Sequence, residues 1–246
     1  MRIYNISKSY NTLKVISNIS LYVEEGEIVS VVGPSGCGKT TLLNLIAKLD
    51  EPDTGNILLS ETDRIGYMMQ EDLLFPWRTL EENALLGTEV IIPGSYNTRE
   101  QLDRLFEAFD LASFKGNYPN TASGGMKQRV ALIRTLLIRP SLLLMDEPFS
   151  NLDFDIKLRI QKQLIRYQQQ NKMSILLVTH DIEDAISLSH RIIVLSAKPA
   201  TIKVEIPIDV NATRQDPIEA RKSHHFREYF TQIWDELKYS NLEENS

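Results

Sequence analysis

An α/β fold, with a parallel-sheet core interrupted by a helical lobe, is what this chain of 246 residues predicts. Three observations carry that expectation. The runs Ile28–Val32, Ser141–Met145 and Ser174–Thr179 are short, apolar and nearly uninterrupted, as parallel strands covered on both faces tend to be. The first of them runs straight into a glycine-rich loop, and Leu42, Leu43, Leu45, Ile46 and Leu49 then recur at helical spacing, giving strand, loop and helix in succession. Between Glu81 and Arg139 the β-branched runs thin out and helix-forming segments dominate, notably Thr98–Phe109 and Met126–Ile138.

Taken in order, Ile16–Val23 has strand character and is joined to Ile28–Val32 by the acidic turn Glu24-Glu25-Gly26-Glu27. The helix expected over Thr40–Leu49 is ended by Pro52 and Gly55. After Lys198-Pro199 a polar stretch leads to Pro217, and Phe226, Phe230, Ile233, Trp234 and Leu237 then form one apolar stripe on a helix, expected to pack on the core. Met173 and the Met68-Met69 pair read as core filling. The organisation that follows is one domain over 1–246. Its α/β core spans 1–85 and 140–205, a helical subdomain occupies 86–139, and a helical extension covers 206–246.

Composition narrows the function. With 42% hydrophobic and 24% charged residues the chain can bury one substantial core. A net charge of -6 argues against nucleic acid as a partner, because that binding needs clustered Lys and Arg to neutralise phosphates. Cys37 is the single cysteine, so no intrachain disulfide forms and a cytosolic location fits best. The apolar runs fall far short of the roughly 20 residues needed to cross a bilayer, and Met1-Arg2-Ile3-Tyr4 opens no apolar leader, so a membrane role is expected to come through a partner.

Gly33-Pro34-Ser35-Gly36-Cys37-Gly38-Lys39-Thr40 fits G-x-x-x-x-G-K-[ST] and sits between an expected strand and an expected helix, as that motif requires. Its glycines let the backbone curl so that successive N–H groups point at phosphate oxygens, and the following helix adds the positive end of its dipole. Lys39 supplies a mobile charge for the β- and γ-phosphates of ATP, the Thr40 hydroxyl suits Mg²⁺, and Thr41 helps hold the α-phosphate. Cys37 is read as lending its backbone N–H, with a redox-active thiol as the lesser reading.

Leu142-Leu143-Leu144-Met145-Asp146-Glu147 is an apolar strand ending in two acids. Ligands of open α/β sheets bind at the carboxyl ends of strands, which brings both carboxylates beside the loop. Successive residues there point different ways and permit two jobs. Asp146 would hold Mg²⁺, directly or through water, while Glu147 would act on the attacking water as general base or orienting group.

Further along, Thr121-Ala122-Ser123-Gly124-Gly125-Met126-Lys127-Gln128-Arg129 resembles the signature motif that sets ABC ATPases apart from other P-loop proteins. Gln70 in Tyr67-Met68-Met69-Gln70, Ser150-Asn151-Leu152-Asp153, and His180 in Val178-Thr179-His180-Asp181 complete that family's motif order, which covers the chain from near its N-terminus to about residue 200. The resemblance implies a P-loop NTPase (RecA-like) core with an N-terminal antiparallel β portion and an inserted α-helical subdomain. It implies that Tyr10 stacks on adenine, that Gln70 senses Mg²⁺ and the attacking water, and that His180 is the switch contacting the γ-phosphate. Ser123, Gly124 and Gly125 open a helix at Met126, an anion site which in the family reaches the γ-phosphate of the other subunit. Two ATP molecules between two head-to-tail copies are therefore implied, with Ser150–Asp153 at the junction.

This sequence departs from the family pattern at Ala122, where Leu is usual, at Asn151, where Ala is common, and at His190, where Asp often precedes Arg191. The first two flank the chemistry and the third reads as surface variation. Leu74-Phe75-Pro76-Trp77-Arg78-Thr79-Leu80-Glu81-Glu82-Asn83 resembles a stretch of importers for nitrate, sulfonate and taurine, and Tyr118-Pro119 with the aromatic C-terminal helix fits the same branch. That likeness implies a separate transmembrane permease, an external substrate-binding protein, and a docking loop at Leu74, Phe75 and Trp77. A P-loop kinase would need neither the signature nor the switch histidine. A soluble ABC protein of translation or DNA repair would carry two cassettes or a long coiled-coil insertion. A non-catalytic cassette would lack Glu147 or Lys39, and both are present.

Overall fold

Three largely apolar strands, β3 (Ile28–Val32), β6 (Leu142–Asp146) and β7 (Ser174–Val178), are buried along their whole length in the computed structural model. The structure describes residues 1–60, 63–91, 98–210 and 216–243, with side chains to residue 238. The parts of the expected helical subdomain at 92–97 and of the C-terminal extension at 211–215 and 244–246 lie outside these residues. The three strands sit in one six-stranded sheet of order β5-β6-β7-β3-β8-β9, in which β5 is Ile65–Met68, β8 Arg191–Leu195 and β9 Ile202–Pro207. Every pair is parallel except β8 with β9. The expected N-terminal antiparallel portion is a second sheet of order β2-β1-β4, made of β1 (Arg2–Tyr10), β2 (Leu13–Tyr22) and β4 (Thr54–Leu58). The acidic turn after β2 thus carries the chain from one sheet to the other.

Because side chains alternate along a strand, each sheet face has its own core. Leu142, Leu144, Leu176 and Val178 pack with helix α1 (Lys39–Ile46) and the antiparallel sheet. Leu143, Met145, Ile175 and Leu177 pack under the helical lobe, built of α2 (Leu80–Ile91), α3 (Thr98–Ala108) and α4 (Gly124–Leu137), together with α5 (Phe154–Asn171). Met68 and Met173 fill this second core as expected. A third cluster joins α6 (Ile182–Leu188), β8 and β9 to the C-terminal helices α7 (Pro217–Lys222) and α8 (His224–Glu243). Ile233 of the expected stripe is fully buried there, whereas Trp234 is exposed and stacks on Phe230.

One reading is corrected by the fold. His190 is no surface variation, because its Nδ1 accepts a hydrogen bond from Ile28 N at 3.0 Å and its own N–H donates to Ile28 O at 2.8 Å. The ring tethers the start of β3, and a carboxylate oxygen at this position is equally able to accept that bond.

Candidate functional site

Sheet register fixes where the motifs meet. Val31 pairs with Val178, and Val178 with Asp146, so the phosphate loop after β3, the acids after β6 and Thr179-His180 after β7 leave the sheet at one edge. Met68 pairs with Met145, which brings Gln70 out at the same edge, where its side chain is exposed. This is the carboxyl edge that ligands of open α/β sheets use.

In the loop, Lys39 Nζ donates to Gly33 O and Pro34 O, both at 2.8 Å, which holds the ammonium across the mouth of the turn. Gly38 has φ 122° and packs so closely on Val15 that a Cβ there would stand 2.9 Å from Val15 Cγ1, so neither conformation nor space admits a side chain. The Thr40 hydroxyl donates to Asp146 Oδ2 at 2.7 Å. Burial pushes the Asp146 carboxyl up, opposed by that hydrogen bond, raised further by Glu147 and lowered by Lys39. Cys37 is buried with its Sγ against Gly33, and desolvation pushes the thiol up despite Lys39, which is contrary to an activated thiol.

Glu147 has a left-handed backbone, φ 50°, an unusual state for a residue with a Cβ. Four contacts hold it. Its N–H donates to Val178 O at 2.9 Å, its carbonyl accepts from Gln128 Nε2 at 3.2 Å and from Ser150 Oγ at 3.1 Å, and its Oε2 accepts from Thr179 Oγ1 at 3.3 Å. Its Oε1 lies 2.8 Å from His180 Nδ1, while the His180 side chain is 72% exposed. A carboxylate so constrained, beside a histidine open to solvent, suits a group that must face one water molecule in one orientation. Gln128 and Ser150 were not singled out as supports of Glu147, although both lie inside quoted motifs, since a contact between the helical lobe and a strand end leaves no local trace in sequence.

Tyr10, at the end of β1, is exposed and shares a cleft of about 280 Å³ with Gly36, Gly38, Lys39, Thr40 and Thr41, and with Lys198 from beyond β8. Its hydroxyl donates to Asp50 Oδ2, and Lys8 Nζ donates to Asp50 Oδ1 at 2.6 Å. These two bonds, Lys8 first, hold the Asp50 carboxyl down to about 2. Lys198 lines this cleft and Asp50 anchors the Tyr10 hydroxyl; neither belongs to a motif, so the sequence does not mark them as neighbours of the loop. A larger cleft, about 500 Å³, lies between α3 and α5 and holds none of the motif residues.

The Ser123–Gly125 segment stands apart from the loop. Ser123 caps α4, its Oγ accepting from Met126 N at 3.2 Å; Ser123 and Gly124 are exposed and Gly125 is half-buried. A Cβ on Gly125 would meet Leu152 Cδ2 at 3.1 Å and Asn151 O at 3.3 Å, so the segment is backed directly by Ser150–Asp153. Asn151 N donates to Gln128 Oε1 at 3.4 Å across the same contact.

Of the proposed docking loop, Trp77 is 70% and Phe75 37% exposed, and their rings stack at 4.9 Å. Leu74 instead packs against the helical core and does not belong to the exposed surface. Asn83, fully buried, builds the loop: its Oδ1 accepts from Phe75 N at 2.7 Å, and its Nδ2 donates to Phe75 O, Arg78 O and Thr79 O at 3.1, 3.0 and 2.9 Å. No helix among the described residues is long and apolar enough to cross a membrane.

Comparison with known proteins agrees with this arrangement. The family model described as "ABC transporter" matches residues 16–150. An uncharacterised ABC transporter ATP-binding protein, YtlC of Bacillus subtilis (strain 168), is 39% identical and covers 96% of this chain and 95% of its own. The aliphatic sulfonates import ATP-binding protein SsuB of Bacillus thuringiensis subsp. konkukian is 37% identical, over 98% of this chain and 95% of its own. Among solved structures, the dimeric ATP-binding cassette MJ0796 in a post-hydrolysis state with ADP and Pi superposes with a TM-score of 0.76 at 31% identity, over 85% of this chain and 98% of that one. With the motifs at one sheet edge and relatives matched over almost their whole length, the chain belongs to the ABC transporter family as an ATP-binding cassette, an ATPase.

Proposed function

We propose that this cassette hydrolyses ATP at the carboxyl edge of its sheet, in a head-to-tail dimer, to drive a separate permease. The observation that carries the reading is the meeting of Lys39, Thr40, Asp146, Glu147 and His180 at that edge. The Thr40 hydroxyl and the Asp146 carboxylate, side by side, form a donor set of hard oxygens that fits Mg²⁺, and Gln70 leaves β5 next to them. When bound, Mg²⁺ supplies neutralisation of the phosphate charge. The loop amides and Lys39 bind and orient the phosphates, Tyr10 offers its ring to the base, and Glu147 takes or directs the proton of the attacking water with His180 beside it.

Ser123, Gly124 and Gly125 present backbone N–H groups at the start of α4 and serve the γ-phosphate held by a second copy. The dimeric state of the MJ0796 cassette supports that assembly. The relatives named for aliphatic sulfonate import support a small oxyanion, a sulfonate or a near analogue, as the cargo of the permease. An external binding protein delivers it, and the cassette lies on the cytosolic face of the membrane, held through Phe75 and Trp77.

The direct test is Glu147→Gln. It retains ATP binding and lowers kcat by about a hundred- to ten-thousand-fold, the usual range for loss of a general base. It also accumulates an ATP-bound dimer in size-exclusion chromatography. Wild-type turnover in this variant would remove Glu147 from the chemistry.

A further inference from the structure

The C-terminal extension reaches the segment that carries His180. His180 lies between Val178, the last residue of β7, and Asp181, which caps α6. With its ring largely exposed and only its Nδ1 set against Glu147 Oε1, its position also depends on the backbone on either side. On the β7 side the sheet holds it. On the α6 side the holder is Asp181, whose Oδ1 accepts from Asp184 N at 3.1 Å and whose own N–H donates to Thr179 Oγ1 at 3.0 Å.

That cap is part of a charge cluster assembled from three helices. Lys157, in the first turns of α5, donates to Asp181 Oδ2 at 2.7 Å and to Asp184 Oδ2 at 3.1 Å. Arg221, from α7, donates through Nη2 to Asp184 Oδ1 at 2.9 Å, and its guanidinium lies 5.4 Å from the centre of the Phe154 ring. Asp184 is 3% exposed and Arg221 13%. An ionised carboxylate so deeply buried persists only with partners that satisfy its charge, and burial pushes the Asp184 carboxyl up even with both cations present. Loss of Arg221 throws the charge of Asp184 onto Lys157 and draws that ammonium from Asp181, which loosens the cap. Arg221 is one of several contacts that dock α7. Ala220 is in the third core cluster, and Asp216 pairs with Lys162 of α5.

We propose that Arg221 is a positioning residue for His180, acting through Asp184, Lys157 and Asp181, so that the C-terminal extension sets the register of the switch histidine against Glu147. The proposal rests on the reading of His180 as the group that meets the γ-phosphate.

Steady-state kinetics of the full chain test it. Arg221→Ala lowers kcat about tenfold and changes KM for ATP by less than about twofold, and Arg221→Lys restores most of the rate. Ile233→Ala serves as control, since it opens a cavity in the same C-terminal cluster without touching the charges; at a temperature well below both melting points it leaves kcat unchanged. In a His180→Ala background, Arg221→Ala has no further effect on kcat. Additive losses in that background, or a kcat loss in Ile233→Ala equal to that of Arg221→Ala at matched stability, would overturn the positioning role alone. A wild-type kcat for His180→Ala would instead overturn the reading of His180 itself, and the proposal with it.

Discussion

The phosphate loop and the Ser123–Gly125 segment are both made of backbone N–H groups opening a helix, one capped by Gly38 and the other by Ser123. They are finished to different degrees. Around the loop the same chain supplies a lysine across its mouth, a hydroxyl bonded to a carboxylate, and a second carboxylate locked beside a histidine. Around the signature segment it supplies backing, from Asn151 and Leu152, and an open front. Exposed N–H groups at a helix start suit an anion, but here no lysine or carboxylate of the kind that surrounds the loop is bonded to the segment among the described residues. What the contrast teaches is that charge is concentrated around the loop and not around the signature, an asymmetry that the proposed head-to-tail dimer would use.

The largest effect expected from this contrast comes from damaging each half separately. Lys39→Ala removes charge from both the bound state and the transition state, so ATP affinity falls along with the rate. Ser123→Arg places a bulky cation on the open front and blocks approach of the partner's nucleotide. Each variant alone is expected to lose ATPase activity by about a hundredfold or more. Mixed in equal amounts, they form heterodimers in which one composite site, Lys39 of one chain with Ser123 of the other, is intact. About a quarter of the wild-type rate then returns if the sites act independently. Absence of any recovery, with heterodimers present by mass, would break the comparison, because the signature would then serve its own chain.

A smaller effect is expected in the segment that joins the two regions. Residues Asp72 and Leu73, after Gln70, are held by Arg134 of α4, which donates to Asp72 O at 2.8 Å and to Leu73 O at 2.9 Å. The next residues are held by Asn83. Asn83→Ala removes the side-chain partner of Phe75 N and of Arg78 O and is expected to cost about 1–3 kcal/mol in chemical denaturation. Phe75→Ala with Trp77→Ala is expected to cost less than about 1 kcal/mol in the isolated chain, because both rings face solvent, while weakening assembly with the permease. If the aromatic pair proves as costly as Asn83, those rings belong to the core and the docking surface lies elsewhere.

These residues also mark where sequence reading ends. The strands β3, β6 and β7 and the helices α3 and α4 were legible because their apolar patterns are local, and the placing of Asp146 and Glu147 beside the phosphate loop was legible because a parallel sheet delivers its strand ends to one edge. Strand β4 was not, for Thr54–Leu58 is mostly exposed and carries no alternation, and its place is set by pairing with β1. The supports of the site escaped for a related reason. Gln128 under Glu147 and Arg221 behind Asp184 act across 19 and 37 positions of sequence, and Asn83, which bonds residues only four to eight positions away, does so through a polar side chain that is buried by the fold. His190 was misread on the same ground, since a histidine beside an arginine looks like surface until β3 is placed next to it.

The smallest expected effect concerns the outer rim of the finished site, where Asp50 binds both Tyr10 and Lys8. If the loop region is complete within one chain, this pair of contacts already fixes the aromatic ring in the absence of nucleotide. Asp50→Asn keeps an acceptor for the Tyr10 hydroxyl and loses the charge that Lys8 pairs with. The sign of the pH dependence follows from the direction of the shift. The Asp50 carboxyl is held down to about 2 in the folded chain, from 3.8, so its contribution to stability is fully present above 3.8 and fades as the pH falls toward 2. The difference in denaturation midpoint between wild type and Asp50→Asn is therefore expected to be small and constant from pH 7 down to about 5, and to shrink on further acidification. ATP affinity at neutral pH is expected to change by less than about threefold, since the phosphates and not the base carry most of the binding charge. A difference that instead grows on acidification would mean that Asp50 is not the anion holding this rim, and Tyr10 would then lack the preorganised contact that distinguishes the loop region from the signature.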